Sequence, residues 1–222
     1  MLKNIVILTK SKKYKNNLCV AGIDTKTGEW IRIVSDDESI QCAVNPKDMI
    51  YEDGSSAEIL DKVTISLLAH VPSYYQPENY IFDDSKYWIK TGHASINELL
   101  SLHPFEEREF IFYDSDRKID PEKVKKVPKN QLHSLALIAP EELKICIKRF
   151  EPENPKATLC FDYNDITYDF MSLTDLEFAN MYIDRSDGFY KLPGKYLLVV
   201  SLGDAYYRDN LHYKIVAKVL KV

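Results

Sequence analysis

The sequence predicts a mainly β protein with short helices, built as two small β-barrels in tandem. Its 222 residues include 15 Tyr and 9 Phe but only 7 Gly, and aromatic residues favour strands. Apolar and polar residues alternate in short segments through both halves of the chain, as strands with one buried face require. Residues 114–131 are charged, proline-punctuated and poor in aromatics, which is typical of a linker. We therefore expect an N-terminal barrel with a β/helix appendage at 1–113, a linker at 114–131 and a C-terminal barrel at 132–222.

The first half contains strands separated by turns. Residues 5–9 (IVILT) are typical of a buried strand, and residues 19–35 (CVAGIDTKTGEWIRIVS) of a hairpin whose turn includes Gly28, because glycine tolerates the positive φ of tight turns. Two further strand segments follow at 59–71 and 79–90. Ser95 and Glu98 predict a reciprocal capping pair at the start of a short helix. Residues 36–60 show no helical pattern and are expected to be irregular.

The second half has a more regular order of elements. It contains SLALI with KICIKRF as one long or interrupted strand, then ATLCFDY and ITYDFMSL as a hairpin, a helix, and finally KYLLVVSL and HYKIVAKVLKV as strands. Thr174 is the expected helix cap, with Glu177 as its partner and Leu173 packed against Phe178. Three strands, a helix and two strands is the order of an OB-like Greek-key β-barrel, the oligonucleotide/oligosaccharide-binding fold. A single larger mixed barrel or sandwich is the alternative.

Charge and cysteine content limit the possible functions. The net charge is −5, so nucleic-acid binding requires a local concentration of positive charge. Such concentrations occur in KSKKYK at 10–15 and again at 117–129, although charge runs are also typical of solvated loops.

The four cysteines are far apart and no His stands beside them at ligand spacing, so we predict neither a metal nor a cofactor. The opening apolar run is too short for a membrane span, and we expect a cytoplasmic protein.

Three regions supply candidate ligand-binding residues. Trp30 and Arg32 share one face of a strand, where an indole could stack on a base; alternatively, Trp30 faces the barrel core and Arg32 lies at its rim. The loop after the first strand and the loop between the fourth and fifth strands of the second barrel border the ligand groove of this fold. The candidates in these two loops are Lys10, Lys12, Lys13 and Tyr14, and Tyr206, Tyr207, Arg208 and His212. The first loop of the second barrel is EPENPK at 151–156.

Several of these segments together resemble the dual OB-containing domain family. They are CVAGIDTKTGEWIRIVS, YEDGSSAEILDKVTI, YQPENYIFD, YDFMSLTD, VSLG and HYKIVAKV, spread over nearly the whole chain. The resemblance implies two tandem OB barrels that bind nucleic acid or nucleotides, often in prokaryotic conflict or defence systems. It implies no catalytic residues.

The sequence favours a binding module over an enzyme. It contains no nucleophile elbow, Walker loop or dinucleotide-binding glycine motif, and its five histidines form no pair with metal-ligand spacing. We expect a non-catalytic module that binds single-stranded nucleic acid or a nucleotide-like ligand. A protein-interaction adaptor is the first alternative. A metal-dependent nuclease that uses Asp120, Glu142 and Lys144 is the second.

Overall fold

The computed structural model describes residues 1–151 and 154–222. The chain forms two compact units, Met1–Pro104 and Phe105–Val222. Within the described residues, no helix has the length and apolar character needed to cross a membrane. Each unit is built on its own β-sheet.

The first unit is a closed five-stranded barrel. Its elements are β1 (Leu2–Tyr14), β2 (Asn17–Asp24), β3 (Trp30–Val34), β4 (Asp61–His70), β5 (Asn79–Phe82), β6 (Ile89–His93) and helix α1 (Ile96–Leu102). The strands pair in the order β1-β2-β3-β5-β4, and β4 pairs with β1 to close the sheet. β3 and β5 are parallel, and β6 extends the sheet from β4. This is the strand order of the OB fold, as the sequence predicts.

Alternating apolar residues fill the first barrel. Ile31 and Ile33 of β3 lie in the core with Trp88, which places the other β3 side chains on the opposite face. Gly22 allows β1 and β2 to pack closely, because a Cβ at this position would collide with the carbonyl oxygen of Val6. Between β3 and β4, short 3-10 turns at Glu38–Ile40 and Pro46–Met49 replace a helix. The irregular conformation expected for 36–60 is therefore present.

The second unit repeats this strand order with additions. Its elements are β7 (Lys118–Ile119), α2 (Pro121–Lys125), β8 (Leu135–Ile138), β9 (Glu141–Arg149), β10 (Pro155–Tyr163), β11 (Ile166–Leu173), α3 (Leu176–Asn180), β12 (Gly188–Lys191), β13 (Tyr196–Ala205) and β14 (His212–Lys221). The strands pair in the order β9-β10-β11-β14-β13-β8. The path begins at β9 and ends at β8. These two strands are consecutive in the sequence and are separated only by Ala139 and Pro140, so the two ends of the path meet. β11 and β14 are parallel, and β12 extends the sheet from β9.

Two local expectations differ from the structure. Residues 114–131 lie within the second unit, and the boundary between units falls at Pro104. The reason is that Ile119 and Val124 are fully buried, and that the Lys214 ammonium donates hydrogen bonds to Asp114. Helix α3 is capped by Asp175, whose Oδ1 accepts from the Phe178 amide at 3.2 Å. The cap is therefore one residue after the predicted Thr174.

Candidate ligand-binding surface

Trp30 and Arg32 share the outer face of β3, yet neither forms an open surface. Trp30 is 9% exposed, and its ring meets that of His103 edge-on at 5.2 Å between centroids. Arg32 is 2% exposed, and its Nη1 donates to Cys19 Sγ at 3.0 Å. The predicted indole and guanidinium platform is therefore not exposed. The alternative prediction, with Trp30 in the barrel core and Arg32 at its rim, is correct that Trp30 is buried. However, Trp30 is buried on the face opposite the barrel interior, and Arg32 is buried instead of lying at a solvated rim.

The N-terminal lysines lie on a strand instead of in a loop. β1 continues to Tyr14 and pairs with β2 up to Asn17, so only residues 15–16 form the turn. Lys10 donates to Glu58 at 2.9 Å and to the Ala57 carbonyl. Lys12 is exposed and Lys13 is half-buried, and adjacent strand residues point to opposite faces. Lys10 and Lys12 therefore share one face of β1, where Lys10 is already paired with Glu58, whereas Lys13 projects from the other face.

The loop between β13 and β14 does bring its predicted residues together. Tyr207 is 80% exposed, and its ring centroid lies 4.7 Å from that of Tyr206. Arg208 Nε donates to the Tyr207 hydroxyl at 2.9 Å, and Tyr213 adds a third ring 5.8 Å from Tyr206. We call Tyr206, Tyr207, Arg208 and Tyr213 the tyrosine loop. His212 does not belong to it, because its side chain is fully buried with Nδ1 2.7 Å from the Gly203 carbonyl.

A basic face that the sequence analysis missed lies on the second barrel. Ile145 and Ile147 of β9 are buried, whereas Lys144 and Lys148, which flank them, are exposed. Lys156 of β10 is paired directly with Lys148, and Lys191 of β12 with Lys144. Paired residues of neighbouring strands project from the same side of a sheet. The four lysines therefore share one outer surface.

Three phenylalanine rings lie on or beside this surface. Phe150, Phe170 and Phe189 are 69%, 43% and 59% exposed. The ammonium groups of Lys148 and Lys156 lie 5.0 Å and 5.6 Å from the centroid of Phe150. Phe170 and Phe189 are 5.9 Å apart. We call the four lysines (Lys144, Lys148, Lys156 and Lys191) and these three rings the lysine face.

Phe170 is held on the lysine face by an unusual backbone conformation. Its φ is +52°, in the left-handed region that is costly for a bulky residue, on the order of 1–3 kcal/mol. A register shift in the pairing of β10 with β11 occurs opposite this point, and the Phe170 amide donates to Cys160 Sγ at 3.3 Å. The bulge directs the ring outward beside Phe189.

Of the four lysines of the lysine face, only Lys191 forms an ion pair among the described residues. Lys191 forms an ion pair with Glu142 at 2.8 Å, and this ammonium lowers the pKa of Glu142. Lys144, Lys148 and Lys156 have no carboxylate within 4.0 Å among the described residues. The acidic protein thus contains a local basic surface with exposed aromatic rings.

The residues of the nuclease alternative have other roles. Asp120 caps α2, accepting from the Glu122 amide at 2.8 Å, and Glu142 pairs with Lys191. Across 1–151 and 154–222, no three His, Cys, Asp or Glu side chains are grouped so that they could hold a metal ion. Of the EPENPK loop, residues 152–153 lie outside the described residues, and Lys156 is on the lysine face.

One sequence signal could have revealed part of the lysine face. The run Lys144-Ile145-Cys146-Ile147-Lys148 alternates with period two, so its lysines had to share a side of the strand. The rings could not be found in this way. Phe189 joins the face only because β12 pairs with β9, 43 residues away, opposite Cys146.

Comparison with known proteins agrees with this architecture. No curated protein matches the chain. The model of the dual OB-containing domain family matches residues 3–219, which include both barrels. The protein therefore belongs to the dual OB-containing domain family.

Proposed function

We propose that the protein is a non-catalytic module that binds single-stranded nucleic acid on the lysine face. The observation that carries this proposal is the combination of three exposed phenylalanines with three lysines that have no carboxylate partner among the described residues. Cations hold the phosphates, and the rings stack on bases. A single strand is the appropriate ligand, because the bases of a duplex are already stacked on one another.

The position of the lysine face supports this proposal. In OB folds, oligonucleotides bind across the second and third strands, between the first–second and fourth–fifth loops. In the second barrel these strands are β10 and β11, which carry Lys156 and Phe170. The tyrosine loop is the fourth–fifth loop of the same barrel. Its two exposed rings and Arg208 could extend the binding surface by another base.

The expected affinity is moderate and depends on salt. A base stacked on an aromatic ring contributes about 1–3 kcal/mol. Three lysines that each neutralise one phosphate of a single strand give a slope near −2 for log K against log [salt], since each phosphate contributes about −0.7. Binding should then weaken about 20-fold between about 50 and 200 mM salt.

The test is fluorescence anisotropy with labelled oligothymidylate and oligouridylate over this salt range. In the double variant Lys148→Gln/Lys156→Gln we expect weaker binding and a slope near −0.7, because one of the three unpaired lysines remains. The matched control is Lys26→Gln/Lys47→Gln, which removes the same charge from exposed positions of the first unit and should bind like the unmodified protein.

Two outcomes would refute the proposal. Equal losses in the double variant and its control would show that only net charge matters. No binding to DNA or RNA at low salt, together with capture of one protein partner in the presence of nuclease, would instead favour the adaptor alternative. The cytoplasmic location expected from the sequence, and the prokaryotic setting and role in defence implied by the resemblance, stay predictions.

A further inference from the structure

A second candidate site is a cavity of about 480 Å³ in the second unit. Small-molecule sites usually enclose about 300–1,000 Å³. The cavity shares no residue with the lysine face or the tyrosine loop. Its lining residues are Arg108, Phe112, Tyr113, Val127, Asn130, Gln131, Leu132 and His133.

Three packed aromatic rings line one side of the cavity. The ring of His133 lies 5.4 Å from that of Phe112 and 5.2 Å from that of Tyr113. The Tyr113 hydroxyl donates to the His133 carbonyl at 2.6 Å and accepts from its amide at 2.8 Å, which fixes the two residues together. Phe112 has φ +65°, and backbone strain of this kind persists only where the surroundings enforce it.

Amide and guanidinium groups form the polar side of the cavity. The side-chain amides of Asn130 and Gln131 are exposed and have no hydrogen-bond partner within the described part of the chain. Arg108 Nη1 lies 3.0 Å from His133 Nε2. Burial lowers the pKa of His133 to about 4, so its ring is neutral at pH 7 and adds no repulsion to the Arg108 guanidinium.

We propose that this cavity binds the purine base of a nucleoside or nucleotide. A planar heteroaromatic ring can pack against the half-buried ring of His133, which is in turn packed against the buried ring of Phe112. The N7 edge of a purine pairs with two kinds of side chain, since Asn or Gln contacts N6 and N7 of adenine and Arg contacts O6 and N7 of guanine. Both kinds line this cavity, although Arg108 Nε already pairs with Glu106 at 2.8 Å, so the amides of Asn130 and Gln131 are the principal contacts. Pyrimidines lack N7. This site is independent of the proposed strand binding.

The test is calorimetric titration of the full chain with adenosine, guanosine and cytidine, together with NMR of the His133 ring protons. We expect the two purine nucleosides to bind and to shift the His133 signals, and cytidine to bind at least about tenfold more weakly. The variant Asn130→Ala/Gln131→Ala should weaken purine binding about tenfold or more. Asn97→Ala, an exposed amide in the first unit, is the control and should bind normally.

The result is separable from that of strand binding. Lys148→Gln/Lys156→Gln should bind purine nucleosides normally, whether or not the lysine face binds oligonucleotides. The inference is overturned if no purine nucleoside binds, if cytidine binds equally well, or if the Asn130→Ala/Gln131→Ala variant is unchanged. Loss of nucleoside binding in the lysine variant would also overturn it, because the purine would then bind on the lysine face.

Discussion

Replacing Asp61 with Asn should destabilise the first barrel in a pH-dependent way. The carboxylate is 1% exposed. Its Oδ1 lies 2.7 Å from the Lys90 ammonium, and its Oδ2 accepts from the Tyr51 hydroxyl at 2.8 Å and from the Glu58 amide at 3.0 Å. Burial alone would raise the pKa of Asp61, but these hydrogen bonds and that of His93 outweigh it and lower the pKa from 3.8 to about 2.

The expected magnitude follows from this shift. One pKa unit corresponds to about 1.4 kcal/mol, so ionisation of Asp61 stabilises the fold by roughly 2 kcal/mol. Because the folded pKa lies below the unfolded one, this stabilisation is complete above about pH 4 and is lost as the pH falls toward 2. Asn resembles the protonated carboxyl group. Asp61→Asn should therefore cost roughly 2 kcal/mol at pH 7 and progressively less below pH 4.

Tryptophan fluorescence during urea unfolding measures this effect selectively. The two tryptophans of the chain, Trp30 and Trp88, both lie in the first unit. Asp36→Asn, which removes an exposed carboxylate, is the control and should change stability by less than about 0.5 kcal/mol. The reasoning would be refuted if Asp61→Asn matched this control at pH 7, or if the deficit of Asp61→Asn were the same at pH 3 and pH 7.

Three further predictions concern the remaining features. Trp30→Ala should lower the free energy of unfolding of the first unit by about 3–5 kcal/mol in urea denaturation and leave oligonucleotide anisotropy unchanged; weakened binding by a folded variant would contradict the burial of this ring. Phe189→Ala should reduce oligonucleotide affinity about 5- to 100-fold, whereas Phe105→Ala, an exposed ring outside the lysine face, should not; equal effects would exclude stacking on the face. Burial lowers the pKa of Lys214 to about 8 although Asp114 favours its charge. Because the folded pKa lies below the unfolded value of 10.5, the stability of the second unit should rise by about 2 kcal/mol between pH 8 and pH 10 in hydrogen exchange. The stability of the Lys214→Met variant should not rise over this pH range. An equal rise in the variant would show that other titratable groups cause it.

Features determined by neighbouring residues could be predicted from the sequence. The capping box of Ser95 and Glu98 is confirmed, since both hydrogen bonds join residues three positions apart. Apolar periodicity and turn chemistry located most strands of both barrels, but they left a single larger mixed barrel or sandwich as the alternative to the OB strand order, which the structure has. Burial of Trp30 was one of the two alternatives, but its burial on the outer face could not be predicted, because period two shows which residues share a face but not whether that face is covered.

Features determined by distant residues escaped prediction. Residues 114–131 have the composition of a linker, yet Ile119 pairs with His212 and Asp114 contacts Lys214, 100 residues along the chain. Composition alone predicts that a charged segment is exposed to solvent, because it contains no information about distant contacts. Likewise, the lysine face depends on the register of β9 with β10 and β12, which individual strand patterns do not determine.

The added strands β6 and β12 have a consequence for self-association. A closed barrel has no free edge at which the backbone of another molecule could pair. In the described pairings, β6 contacts only β4 and β12 only β9, so each restores such an edge. Both strands are short and carry a lysine, Lys90 and Lys191, features that discourage edge-to-edge pairing. The short length of these strands and the lysine on each therefore oppose pairing with the edge of another molecule.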